Sequence, residues 1–123
     1  VEVVTMVESY PPAATDAEVN LEEFENVDIV EGSVENVLAS ILETEAEYNI
    51  ALVDPPGSGM SKTALQSLSD LKIPKLVYVS SDPASLARDA RALEQAGYTL
   101  QEVQAIDFAP QTYYIDTVAL FTL

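Results

Sequence analysis

The stretch PKLVYVSSDPASLARDARALEQAGY, residues 74–98, decides how the chain is read. An apolar run enters Ser80-Ser81-Asp82-Pro83 and gives way to residues at helical spacing. Asp82 fits a helix N-cap, Pro83 the first helical position and Gly97 the first residue past the end. A strand running directly into a capped helix is the repeating unit of an α/β sheet. Two hydroxyls, Ser80 and Ser81, stand at that junction.

Working outward, the same alternation recurs. VEVVTMVES (1–9) reads as a strand, and Pro11-Pro12 opens a helix with Ala14, Ala17, Leu21 and Phe24 as its apolar stripe. VDIVEG (27–32) is a second strand. Ser33 fits an N-cap before Val34, Val37, Leu38, Ile41 and Leu42, which recur at one helical face. YNIALVDPP (48–56) predicts a fully buried strand by its continuous apolar run, and GMSKTALQSLSDL (59–71) a third helix. YTLQEVQAID (98–107) and TYYIDTVALFTL (112–123) are two strands with no room for a helix between them. The order βαβαβαβαββ predicts a mainly parallel α/β sheet with helices on both faces and an antiparallel C-terminal edge strand. No repeat or linker divides the chain, so residues 1–123 read as one domain.

Composition narrows the function. The chain has 123 residues, no cysteine and no histidine, which removes disulfides, a thiol nucleophile and the commonest metal ligands. No metal site is expected. No apolar run approaches the ~20 residues of a membrane span, and no secretory leader opens the chain, so a cytoplasmic location is expected. Net charge is −16, and no Lys or Arg precedes Lys62. Such a surface repels phosphate, so this chain alone should bind RNA poorly. The plain explanation of the acidity is a solubilising or salt-adapted surface.

In doubly wound sheets ligands bind outside the carboxyl ends of the strands. Those ends carry Glu8, Gly32-Ser33, Asp54-Pro55-Pro56 and Ser80-Ser81-Asp82. An acid at Glu8 can accept both hydroxyls of a ribose, although it is also one acid among many in this half. PPGSGMSKT (55–63) fails as a phosphate loop, because Ser61 and Pro56 stand where that motif requires glycine. Asp54, stiffened by two prolines, is either a posed carboxylate or a turn residue. On local sequence alone Ser81 reads as a helix-capping hydroxyl beside Asp82.

Three segments in order, DPPGSG (54–59), YVSSDPASLARD (78–89) and IDFAPQTYYIDTV (106–118), resemble the signatures of the RNA uracil-C5 methyltransferases. That family reads Asp-Pro-Pro-Arg-x-Gly, then Ser-Cys-Asn-Pro with Leu-x-Arg-Asp, then Asp-x-Phe-Pro-x-Thr with His-x-Glu. VESYPPAATDAEVN (7–20) and ENVDIVEGSVENVL (25–38) are similar to segments around its second and third strands. The resemblance implies a Rossmann-like class I methyltransferase fold that uses S-adenosylmethionine to make 5-methyluridine in tRNA or rRNA. It places this chain in the C-terminal part of the catalytic domain, with the N-terminal strand, the glycine loop and the RNA-binding region missing.

The same resemblance assigns roles. Glu8 holds the cofactor ribose, Ser33 lies near the adenine, and Asp54 sits by the methyl donor and the target uracil. Ser81 takes the place of the cysteine nucleophile and Asp116 that of the glutamate base. Gly57, Asp82 and Tyr114 stand where the family has arginine, asparagine and histidine. In the family a thiolate adds to C6 of uracil, C5 takes the methyl group, and a base removes the C5 proton. A thiol with a pKa of ~8.5 is partly ionised at neutral pH. A serine hydroxyl is not, and it needs an adjacent base. The expectation is a fragment or degenerate methyltransferase, inactive as this chain, that binds S-adenosylmethionine weakly or not at all. The alternative is a non-catalytic α/β interaction domain. Contact with RNA is expected only through the missing regions, and self-association through free sheet edges. Residues 3–8 should pair directly with 49–54, closing the place of the missing central strand.

Overall fold

The computed structural model describes residues 1–44 and 46–123. The backbone forms two compact units, Val1–Glu45 and Ala46–Leu123.

The first unit runs β1 (Val4–Glu8), α1 (Pro11–Asn20), β2 (Val27–Glu31) and α2 (Val34–Leu42). The two strands are parallel, with Met6 opposite Ile29 and Glu8 opposite Glu31. Parallel neighbours need a crossover, and α1 supplies it. Pro11 and Pro12 occupy its first turn, where their missing amide donors cost nothing. Ala14 and Ala17 are buried, but the expected stripe ends at Leu21, and Phe24 is exposed. The helix stops at Asn20, so Phe24 has no helical face to join. Ser33 caps α2 as expected, its hydroxyl accepting from the Asn36 amide at 3.3 Å.

The second unit adds β3 (Ile50–Val53), α3 (Lys62–Asp70), β4 (Lys75–Ser80), α4 (Pro83–Gln95), β5 (Thr99–Ile106) and β6 (Asp116–Thr122). Its four strands lie in the order β3-β4-β6-β5. β3 and β4 are parallel, while β6 is antiparallel to both its neighbours. The α/β class with parallel strands and one antiparallel strand is therefore present, with one correction. The C-terminal strand is not the edge, because it inserts between β4 and β5 and leaves β5 outside. The reason lies in the side chains. Thr117, Ala119 and Phe121 of β6 are buried opposite Ser80, Tyr78 and Leu76 of β4, so β6 has an apolar face to cover. β5 carries Gln101, Glu102 and Gln104 and stays exposed along most of its length, which suits an edge.

Two further expectations fail. β1 and β3 belong to separate sheets, so the direct ladder between 3–8 and 49–54 does not form among the described residues. Apolar patterning records which face of a strand is buried, and carries no information about which edge finds a partner. The strand at 50–53 is also not fully buried, since Ile50 is 61% and Leu52 69% exposed. β3 pairs on one side only, and alternation turns these two side chains away from the face that Leu76 and Tyr78 bury.

The core of this unit gathers Leu65 and Leu68 of α3, Leu86 and Leu93 of α4, and Leu76, Tyr78, Tyr98 and Phe121 around the sheet. Asp82 caps α4, and Gly97 takes φ +104 just past its end, in the left-handed region that glycine enters without strain. Among the described residues no helix is long and apolar enough to cross a membrane.

Candidate functional site

Asp54 follows β3 directly, and Ser81 follows β4 directly. Asp116 opens β6, whose next residue, Thr117, lies opposite Ser80. Because β6 runs against β4, its first residue meets the last of β4. Asp54, Ser81 and Asp116 therefore stand at one end of one sheet, the carboxyl end of its parallel strands. A side chain at Gly57 would place its Cβ 3.5 Å from the Ser81 hydroxyl, so the loop after Asp54 comes up beside residue 81, which stays exposed. Capping of α4 falls to Asp82 rather than to Ser81.

The junction is tied down by its neighbours. Ser80 Oγ accepts from the Asp82 amide at 3.1 Å and donates to the Asp82 carbonyl at 2.8 Å. Asp82 Oδ2 accepts from the Ser85 amide at 2.9 Å. Ser85 Oγ lies 2.7 Å from both Asp82 Oδ2 and the Gly57 carbonyl, and its single proton serves one of them at a time. The Ser85 hydroxyl and amide hold the Asp82 carboxyl below the usual carboxylate range.

Sequence reasoning missed the group that fixes the loop. Asp89 is 1% exposed, and its carboxylate accepts from the Met60 amide at 2.8 Å, the Tyr78 hydroxyl at 2.6 Å and Arg88 Nε at 2.8 Å. The same Arg88 donates through one Nη to the carbonyls of Ser58, at 2.9 Å, and Met60, at 3.2 Å. Burial, and then the bond to Asp89, push the Tyr78 hydroxyl well above the ordinary tyrosine range. The signal was present as the Leu-x-Arg-Asp motif, but a motif states no partner. Thr117 was missed too: its hydroxyl is buried without a hydrogen-bond partner among the described residues.

In the first unit, Glu8 and Ser33 lie at the same end of the β1–β2 pair. The Gly32 amide donates to the Glu8 carbonyl at 2.9 Å, and Glu8 Oε1 accepts from the Tyr10 amide at 2.8 Å. Ser33 borders a groove of about 430 Å³ that Thr5, Gly32, Asn36, Val37 and Ile41 also line. Glu8 is outside that groove. Among the described residues no cluster of acids could hold a metal ion.

The fold matches solved methyltransferases. The tRNA (uracil-54, C5)-methyltransferase of Pyrococcus abyssi, in complex with S-adenosyl-L-homocysteine, superposes with a TM-score of 0.82 at 26% identity, over 98% of this chain and 28% of that one. The N-methyltransferase NodS of Bradyrhizobium japonicum gives 0.73 at 15% identity over 98% and 72%, a likeness of fold alone. This is a class I methyltransferase fold. The chain's curated homologues are RNA methyltransferases. An uncharacterized RNA methyltransferase of Clostridium tetani is 36% identical over 118 residues, which is 94% of this chain and 26% of the relative. One from Halalkalibacterium halodurans is 38% identical over 119 residues, again 26% of the relative. The chain thus spans about a quarter of the length of the curated relatives it matches. No protein-family model matches it.

Proposed function

We propose that the chain is part of an S-adenosylmethionine-dependent RNA (uracil-C5) methyltransferase, acting on tRNA or rRNA, whose reactive centre is chemically silent as it stands. The observation that carries this reading is the convergence of Asp54, Ser81 and Asp116 at one end of one sheet, with the Gly57 loop against the Ser81 hydroxyl.

The first unit fits the cofactor. One carboxylate oxygen of Glu8 is engaged by the Tyr10 amide, which holds the side chain in place and leaves the second oxygen for a ribose hydroxyl. The Ser33 hydroxyl is committed to the Asn36 amide, so Ser33 contributes its position beside the groove rather than a free hydroxyl. S-adenosylmethionine, when bound, supplies an electrophilic methyl group. Asp54, directly after β3, stands where the resemblance assigns the carboxylate beside the target base.

The silence follows from the residues at the other positions. Ser81 presents a hydroxyl that ionises far less readily than a thiol, and the chain has no histidine to take its proton. Its neighbours Asp82 and Asp116 are carboxylates, weak bases at neutral pH. Asp116 is one methylene shorter than glutamate, enough to miss a proton that must lie within about 3 Å.

The loop between β5 and β6 exposes Phe108, Tyr113 and Tyr114 beside Asp116. Flat, exposed aromatic side chains are what an unstacked base packs on. The net charge of −16 leaves the RNA phosphates to be held by something other than this surface. A cytoplasmic location suits an enzyme of this kind.

The test is methyl transfer from labelled S-adenosylmethionine to a uridine-containing RNA. The chain as it stands should form no 5-methyluridine, and product formation would refute the silence. Transfer by Ser81→Cys/Asp116→Glu in a chain extended to the length of its relatives would show that only the chemistry was lost. Continued inactivity with measured cofactor binding would count against these two changes as its cause.

A second reading, a non-catalytic interaction domain, is favoured by one observation. Ile50 and Leu52 are exposed on a strand with a free edge, a surface suited to self-association. Sedimentation showing a concentration-dependent dimer lost in Leu52→Lys would support it.

A further inference from the structure

We infer that Arg88 and the buried Asp89 are positioning residues for the candidate site: they hold the loop 55–60 so that Gly57 lies against the Ser81 hydroxyl. The inference rests on reading Ser81 as the nucleophile position.

A carboxylate that is 1% exposed carries a large desolvation cost unless its lone pairs are taken. Asp89 meets that requirement with three donors, and one of them, the Met60 amide, belongs to the loop's far end. Arg88 extends the grip. Its guanidinium bonds Asp89 through Nε and spans the loop through Nη to the carbonyls of Ser58 and Met60. Ser85 adds a bond to the Gly57 carbonyl from the first turn of the same helix. The loop that begins at Asp54 is thus bound to α4 at Gly57, Ser58 and Met60, and the α4 N-cap, Asp82, directly follows Ser81.

Gly59 shows how closely the parts fit. It adopts φ +76, and a Cβ there would strike the Arg88 guanidinium and the Asp89 carboxylate. The turn is closed further by the Gly59 amide donating to the Pro56 carbonyl at 2.7 Å. An ion pair with only its carboxylate buried could serve packing anywhere along the sheet. This one places its bonds on the segment that carries Gly57 beside residue 81.

Tyr78 separates the two roles. Its hydroxyl bonds Asp89 from the sheet side, close to the Met60 amide, whereas the carbonyls of Ser58 and Met60 are bonded by Arg88. Removing its hydroxyl weakens the core while leaving the Arg88 bonds to the loop in place.

The chain has no cysteine, so Ser81→Cys introduces a sole thiol that reports the geometry at this position without any methyl transfer. Its alkylation rate is measured against pH in that background, alone and combined with Arg88→Gln, Ser85→Ala or Tyr78→Phe, with thermal melting followed in parallel. Arg88→Gln should change the rate severalfold and shift the pH profile, because the Gly57 backbone no longer lies against the exposed thiol. Ser85→Ala should act in the same direction. Tyr78→Phe should lower the melting temperature and leave the profile unchanged. The Arg88 side chain is 57% exposed, so its replacement is tolerated by the core; should that variant fail to fold, Ser85→Ala decides. An unchanged profile in both loop variants overturns the inference. So does a Tyr78→Phe profile that moves as far as theirs, since the effect would then track global stability. Failure of methyl transfer leaves this result untouched, so the two readings fall separately.

Discussion

Replacing Gly59 by alanine and, separately, Gly57 by alanine sets two neighbouring glycines of one loop against each other. At Gly59, φ is +76, a left-handed conformation that costs a residue with a Cβ about 1–2 kcal/mol. The alanine regains roughly 0.5 kcal/mol by restricting the unfolded chain. Its methyl would also displace Arg88 or Asp89, breaking at least one charge-assisted hydrogen bond worth about 2 kcal/mol. The net expectation for Gly59→Ala is a loss of about 3 kcal/mol. At Gly57 the backbone is not left-handed, and the nearest atom to a Cβ is the Ser81 hydroxyl at ordinary contact distance, 3.5 Å. Gly57→Ala should therefore stay within about 0.5 kcal/mol of the parent. Urea unfolding followed by far-ultraviolet circular dichroism reads both. With a slope of roughly 1–2 kcal/mol per molar, Gly59→Ala should lower the midpoint by more than about 1 M. Equal midpoints for the two variants would refute the account of the loop.

Other outcomes follow from single groups. Thr117→Val removes a buried hydroxyl with no partner and should stabilise the chain by roughly 0.5–1 kcal/mol in the same urea assay; a loss would mean that the hydroxyl is bonded in solution. Burial raises both Tyr78 and Tyr98 above the usual value of 10.0. Their contribution to stability is complete below that value and is lost as pH rises beyond it, so tyrosinate absorbance should show a late step that coincides with alkaline unfolding. Simple titration of every tyrosine in one step before unfolding would contradict it. Asp82 has the opposite sign: its lowered carboxyl stabilises the start of α4 above the unfolded value of 3.8, and this is lost as pH falls below it. Asp82→Asn should flatten the acid limb of the melting temperature against pH. Filter binding to a uridine-containing stem-loop should be undetectable at physiological salt, and a saturable curve that weakens with added salt would count against the reading of the −16 charge.

What was legible in the sequence was local. Asp82, Pro83 and Gly97 bracketed α4, and Ser33 marked the start of α2, because caps are satisfied by backbone groups two or three residues away. The alternation of strands and helices gave the α/β class, and the spaced motifs set Asp54, Ser81 and Asp116 at strand ends. The Leu-x-Arg-Asp motif was legible as a string only. Its partners lie 28 to 30 residues away in the loop and 11 away in the strand, and nothing in the local pattern names them.

The sequence by itself determined the elements and their caps, the acidic and histidine-free chemistry, and the serine after β4 and aspartate opening β6. Those follow from residue identity and from interactions within a turn or two. Only the tertiary structure decided that β6 lies inside the sheet and β5 at its edge, that Ile50 and Leu52 face outward, and that strands 4–8 and 50–53 belong to separate sheets. Edge pairing is a contest among distant segments for the same backbone donors and acceptors. An apolar run of Ile-Ala-Leu-Val satisfies that contest equally well at a centre or at an edge, so its sequence could not choose.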